Sequence, residues 1–335
     1  MENNNSGGRM GWIPYWNLWP LKCELAKHGF NFSQTPAGDP TQINKWLQEG
    51  KIQLAPCSSV CLIKNAKQEM ALPLGVVADG EVKSVYLGFL PEQEELYEQI
   101  MRRQRAVEEL FTDGIRLYRN NSREFAQFIK EKIDSQESMK IDHVPMIKMT
   151  PNSESSSILS RLLFKLWFPR ETYQLMLQYE KLRASNTHAA ELELVIGDEA
   201  LYRRAQFSHI IDLGALWKKM TDLPFVFAVW QTNTKNIKID KKLVLELAEI
   251  AENRMRIEPT YYMPSPIPKA FDGQGISLAE YWKNIYYRIG PKEMQGLITY
   301  LCLVRSFDLV ETNQSFLSKI IRWQSLSQTA AGTFL

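Results

Sequence analysis

Apolar and polar positions alternate in blocks along the first 90 residues, and the blocks read as short strands separated by amphipathic helices. Residues 10–14 predict a strand. Pro20 then opens a helix with Leu21 and Leu25 on one face and Gly29 as its stop. Asp39-Pro40 caps a second helix carrying Ile43, Trp46 and Leu47, ended by Gly50. Residues 52–56 predict a strand, Ser58-Ser59 the start of another helix, and 72–78 and 82–89 two more strands. Strands alternating with helices of this length predict βαβ units and a parallel sheet.

The texture changes over 91–141, where charge-rich stretches with helical apolar spacing (Leu96, Ile100, Val107, then Phe125, Phe128, Ile129) predict a helical insertion. Residues 144–149 and 192–196 return to strand, separated by a helix entered through Ser153 to Ser157. Asp212-Leu213-Gly214 begins a short capped helix that runs into 225–230, an apolar run long enough to be buried on both faces. Helices are predicted over 241–254, 276–288 and 291–305, a Pro/Tyr-rich loop over 258–269, and a frayed tail after Ser325. If the strands at 82–89 and 225–230 cross between two lobes, both chain ends share lobe 1 (9–88 plus 228–325). Lobe 2 is then 89–227. This is the expected architecture of a two-lobed, periplasmic-binding-protein-like (type II) α/β fold, with mixed or parallel sheets flanked by helices and a ligand cleft between the lobes.

With 335 residues, two lobes are expected. The 40 basic and 38 acidic residues nearly balance, which argues against nucleic acid or a polyanionic surface as partner. No window approaches the roughly 20 apolar residues of a membrane span, and the Asn/Ser/Gly-rich residues 1–8 carry no apolar signal core, so a cytoplasmic location without membrane contact is expected. A homodimer is the one macromolecular assembly left open. Cys23, Cys57, Cys61 and Cys302 form no zinc set with His28, His143, His188 and His209, so neither a metal nor a disulfide framework is expected.

Three turns put polar groups where a strand ends and a helix begins, the place at which parallel α/β proteins gather anions. They are Tyr15-Trp16-Asn17-Leu18-Trp19-Pro20, Cys57-Ser58-Ser59, and Thr150 to Ser157. Each could equally be an ordinary capped turn. Ser84, on the first crossing strand, is mute alone. The residues by themselves point to an anion-binding cleft of open chemistry, with no catalytic triad order and no phosphate loop.

In order, these segments resemble one family, the chorismate dehydratases of the futalosine route to menaquinone. Residues 14–21 resemble its opening Tyr-Leu-Asn-Thr-x-Pro-Leu motif through Tyr15, Asn17, Pro20 and Leu21, with Leu18 at the threonine position. Residues 54–60 resemble its strand ending in Ser-Ser, 82–85 its Val-x-Ser-Val strand, and 150–161 its Thr-Pro-Glu-Ser-Ala-Thr-Ser segment. Residues 194–201 and 212–230 are similar to two further motifs. The resemblance implies a cofactor-free hydro-lyase that dehydrates chorismate, a small dicarboxylate. It also implies Asn17 as the catalytic residue and Tyr15, Ser58, Ser59, Ser84, Ser153, Ser155, Ser156 and Asp198 as substrate contacts. A small-carboxylate binding protein of the same fold without turnover is the alternative.

Overall fold

The computed structural model describes residues 9–32, 35–119, 121–135, 144–183, 190–234, 239–264, 277–312 and 318–323. The readings made above for residues 1–8, His143, His188, 265–269 and the tail after Ser325 lie outside them.

In chain order the elements are α1 (Trp19–Lys27), α2 (Pro40–Gln48), β1 (Leu54–Ser58), α3 (Cys61–Lys64), β2 (Glu69–Ala78), β3 (Val85–Phe89), α4 (Glu94–Tyr118) and α5 (Ser122–Asp134). Next come β4 (Ile147–Lys148), α6 (Glu154–Trp167), α7 (Arg170–Arg183), β5 (Leu192–Ile196), α8 (Gly197–Arg203), β6 (His209–Asp212) and α9 (Leu213–Thr221). The described chain closes with β7 (Phe225–Thr232), α10 (Lys241–Ile257), α11 (Leu278–Trp282), β8 (Ile285–Arg288) and α12 (Pro291–Ser306).

The strands form two four-stranded sheets, ordered β1-β7-β2-β8 and β4-β5-β3-β6. β7 is central in the first sheet and all eight of its residues are buried, as its unbroken apolar run predicts. The expected parallel sheet is not what forms. β7 enters antiparallel between β1 and β2, β8 pairs antiparallel with β2, and β3 pairs antiparallel with both β5 and β6, so among the described strands β4 with β5 is the parallel pair. A strand arriving from the far end of the chain set the direction, which no local pattern encodes.

The crossings between sheets also fall elsewhere than expected. β3 lies wholly in the second sheet and β7 wholly in the first, so the chain passes over at 79–84 and again through α9 and the turn at 222–224. Asp212 joins the two passages. Its carboxylate caps α9 by accepting from Ala215 N–H at 2.9 Å, and it accepts from Val82 N–H at 3.1 Å and Lys83 N–H at 2.7 Å. A Cβ on Gly214 would lie 2.5 Å from the Gly80 carbonyl, so glycine is what lets the passages approach.

Three local expectations are corrected. The helix read over 276–288 is α11 followed by strand β8. Ile285 and Tyr287 are buried while Tyr286 and Arg288 are half-buried, the period of a strand in an aromatic-rich run. β1 runs through Ser58, and the helix after it begins only at Cys61. Residues 10–14 form two isolated bridges, Met10 to Leu54 and Trp12 to Ala37, because the segment pairs with two different partners. The elements α7, α8 and β6 were not anticipated.

Candidate active site

Between the sheets lies a small, partly open cleft with a cavity volume of about 50 Å³. It gathers six of the nine residues singled out from the sequence: Tyr15, Asn17, Ser58, Ser84, Ser153 and Ser156. They come from four separate segments, the turn before α1, the end of β1, the 79–84 passage and the start of α6. Aliphatic and aromatic side chains, among them Leu18, Val76 and Phe227, complete the wall. Among the described residues lining the cleft, none carries a charged side chain or an imidazole.

The turn carrying Tyr15 and Asn17 is bonded on several sides. Trp16 N–H donates to Asp198 Oδ1 at 3.2 Å, Trp282 Nε1–H donates to the Trp16 carbonyl at 2.9 Å, and the Tyr287 hydroxyl donates to the Asn17 carbonyl at 2.9 Å. Trp19 Nε1–H donates to the Tyr262 carbonyl at 2.9 Å, which anchors that side chain to the loop after α10. With its backbone so fixed, Asn17 presents Oδ1 as a buried acceptor without a hydrogen-bond partner among the described residues. A buried unpaired amide oxygen is destabilising by about 1–3 kcal/mol.

Each serine hydroxyl has a definite partner. Asn44, on α2, donates through Nδ2 to Ser58 Oγ at 3.0 Å and accepts Ser58 N–H at 3.0 Å. Tyr281, on α11, donates to Ser84 Oγ at 3.1 Å. Ser153 caps α6: its Oγ accepts Ser156 N–H at 3.4 Å and donates to Ser156 Oγ at 3.0 Å. The cap segment is tied to α2 by the Thr41 hydroxyl, which donates to the Pro151 carbonyl.

Three predicted residues stand outside the cleft lining. Ser59 and Ser155 are fully buried and hydrogen-bond each other at 3.0 Å, so they join the end of β1 to α6 behind the wall. Asp198 supports the turn through Trp16 rather than facing the cleft, and burial pushes its carboxyl up to about 6. Tyr15 lies against the backbone of Gly197, whose φ of +64° and missing side chain make room for the ring. Burial, followed by the charge of Asp198, pushes the Tyr15 phenol up to about 12, so it stays protonated and can donate near neutral pH.

Asn44 and Tyr281 escaped the sequence reading. A polar residue beside Ile43 and Leu47 on the buried face of α2 was the available signal for Asn44; Tyr281 acts 197 positions away from its partner and left none. Among the described residues there is no group of three or more His, Cys, Asp or Glu arranged to hold a metal. Cys57, Cys61 and Cys302 are buried and free, and Cys23 is half-buried and free.

Fold and cleft together define an α/β protein of two four-stranded sheets with a cleft between them. The crystal structure of AF1704 from Archaeoglobus fulgidus is similar over 92% of this chain and 100% of that one, with a TM-score of 0.50 at 10% identity. CA3427 of Candida albicans, described as having the generic periplasmic binding protein structural fold, is similar at a TM-score of 0.44 and 10% identity, covering 96% of this chain and 95% of its own. The chain belongs to the menaquinone biosynthesis family, whose sequence model matches residues 8–119 and 135–306. α4 lies within the matched residues, and the stretch between the two matched segments, 120–134, covers α5. α5 packs against α12, where the Ser122 and Thr299 hydroxyls hydrogen-bond at 2.9 Å.

Proposed function

We propose that this chain is a hydro-lyase that converts chorismate into 3-[(1-carboxyvinyl)oxy]benzoate and water, acting in the cytoplasm on the futalosine route to menaquinone. The observation that carries this reading is the unpaired Asn17 Oδ1 in a wall that otherwise offers hydroxyls. Chorismate carries two carboxylates and one hydroxyl, which suits a cleft of several donors and one orphan acceptor.

The reaction breaks the C3–H and C4–O bonds and forms a C3–C4 double bond, which completes the aromatic ring. No electrons leave the substrate, so no redox cofactor is required. The described lining residues supply no acid/base pair, and the base in this reading is the substrate's own side-chain carboxylate. Asn17 Oδ1, facing that group, disfavours its ionised form and accepts a hydrogen bond once it is protonated; both effects make it a stronger base. The proton leaves with the C4 hydroxyl as water. In this reading Ser58, Ser84, Ser156 and Tyr15 hold the carboxylates. Leu18 stands at the wall where the family motif has threonine, so orientation rests on the serines rather than on a hydroxyl beside Asn17.

The test is incubation of the protein with chorismate, following loss of the diene absorbance and detecting by mass a product lighter by one water. Turnover by the natural protein and a loss of about 10²–10⁴ in kcat for Asn17→Ala is the expected outcome. Stabilisation by chorismate without any product would refute the lyase and leave a carboxylate-binding protein.

A further inference from the structure

The cleft serines do not stand free, and the way they are bonded fixes which way their protons point. Ser58 Oγ accepts from Asn44 Nδ2, Ser84 Oγ from the Tyr281 hydroxyl, and Ser156 Oγ from Ser153. The Asn44 contact has an unambiguous sense, because the other amide atom of Asn44 accepts the Ser58 N–H and so identifies Oδ1. In all three cases a lone pair of the serine oxygen is already used. Its own proton has no acceptor among the described residues, and each of the three side chains borders the cleft. The three serines are at most 3% exposed, so their protons have little access to solvent. A buried donor left unmade is unfavourable, and a ligand that accepts from all three relieves this at once.

We infer that Asn44 and Tyr281 are positioning residues that set the polarity of the cleft, holding Ser58 and Ser84 as obligate donors and thereby selecting a carboxylate over a neutral amide or alcohol of the same shape. This deepens the reading of the same cleft as the chorismate site. It rests on that reading for the identity of the natural substrate, though not for the selectivity itself. The set draws on both sheets: Ser58 ends a strand of the first and Ser84 precedes a strand of the second. A ligand that bridges them therefore ties the two sheets together. Burial pushes the Tyr281 hydroxyl well above the ordinary tyrosine range, so it remains a donor at every working pH. Ser153 does the same for Ser156 and, as the cap of α6, aligns that helix N-terminus with the site.

The experiment compares binding of 3-hydroxybenzoate and 3-hydroxybenzamide, which differ by one acceptor-only group, to the natural protein and to Tyr281→Phe and Asn44→Asp. In Asn44→Asp the introduced carboxylate would accept from both the Ser58 N–H and the Ser58 hydroxyl, drawing that proton out of the cleft. Titration calorimetry on the natural protein is expected to show binding of the acid at least tenfold tighter than the amide. Tyr281→Phe should reduce that ratio several-fold and Asn44→Asp should abolish it. With chorismate, KM should rise more than kcat falls. Equal affinity for acid and amide in the natural protein, binding of neither, or an unchanged ratio in Tyr281→Phe would overturn the inference. Tyr281→Phe keeps the buried ring, so it stays informative even if Asn44→Asp fails to fold. The two readings fail separately. Acid selectivity lost in the variants without chorismate turnover sinks the lyase and keeps this inference; turnover with unaltered KM in both variants does the reverse.

Discussion

Replacing Gly197 with alanine tests whether the edge of the cleft is built as described. Two effects act at this residue. Its φ of +64° is left-handed, which an alanine adopts at a cost of about 1–2 kcal/mol. Its new Cβ would also lie 2.8 Å from Tyr15 Cζ and 2.9 Å from Cε2. That is roughly 1 Å inside the usual 3.5–4.0 Å carbon contact. The ring borders the cleft and is half-buried, so it can yield into the empty space, and overpacking of this kind adds about 1 kcal/mol. The sum, about 2–3 kcal/mol, is to be read from urea denaturation at fixed pH. A double-mutant cycle separates the terms: in a Tyr15→Ala background only the backbone part, about 1–2 kcal/mol, should remain. The displaced ring should also weaken chorismate binding several-fold. A Gly197→Ala protein as stable as the natural one, or a loss of the same size in both backgrounds, would refute the packing argument.

Two further outcomes follow from buried carboxylates. Asp212→Ala removes the cap of α9 and leaves the N–H groups of Val82 and Lys83 without their acceptor; a loss of about 3–5 kcal/mol is expected in denaturant titration, and Asp212→Asn, which keeps one oxygen, should lose less than half of that. For Asp198, raised from 3.8 to about 6, the folded state holds the proton more tightly than the unfolded one, so its contribution is present at low pH and is lost as pH rises from about 4 through 6. Asp198→Asn should flatten that segment of the stability curve and gain at most about 3 kcal/mol at pH 7.5; a variant less stable than the natural protein at that pH would show that the carboxylate's bond to Trp16 N–H outweighs its desolvation.

Much of the site was legible because caps and strand ends have local signatures. Asp39 caps α2, Ser153 caps α6 and Asp212 caps α9, each accepting a backbone N–H three residues on, as their residue types and the apolar runs behind them imply. β7 was legible because a strand buried on both faces needs an uninterrupted apolar run. What could not be read was set by distance along the chain. Whether Ser59 faces a ligand or Ser155 depends on α6 docking 96 positions later, and the same alternation that makes Tyr287 buried in a strand also fits a short amphipathic helix. Strand direction followed the partner that arrived, not the residues themselves.

The absence of charged side chains among the described lining residues is itself informative about the proposed chemistry. A lysine or arginine about 4 Å from the substrate carboxylate would stabilise its ionised form by about 4 kcal/mol at an effective dielectric near 20. A shift of that size would lower the carboxyl's pKa by about 3 and strip it of the basicity that proton abstraction requires. Hydroxyl donors bind a carboxylate at about 1.5–3 kcal/mol each while spreading the interaction over several weak dipoles. They also release it without breaking an ion pair once it is protonated. In the proposed reaction the reacting carboxyl is placed beside Asn17, which brings no charge to it. One carboxylate can thus be anchored by Ser58, Ser84 and Ser156 while the other is kept basic beside Asn17, a division of labour that a cationic cleft would erase.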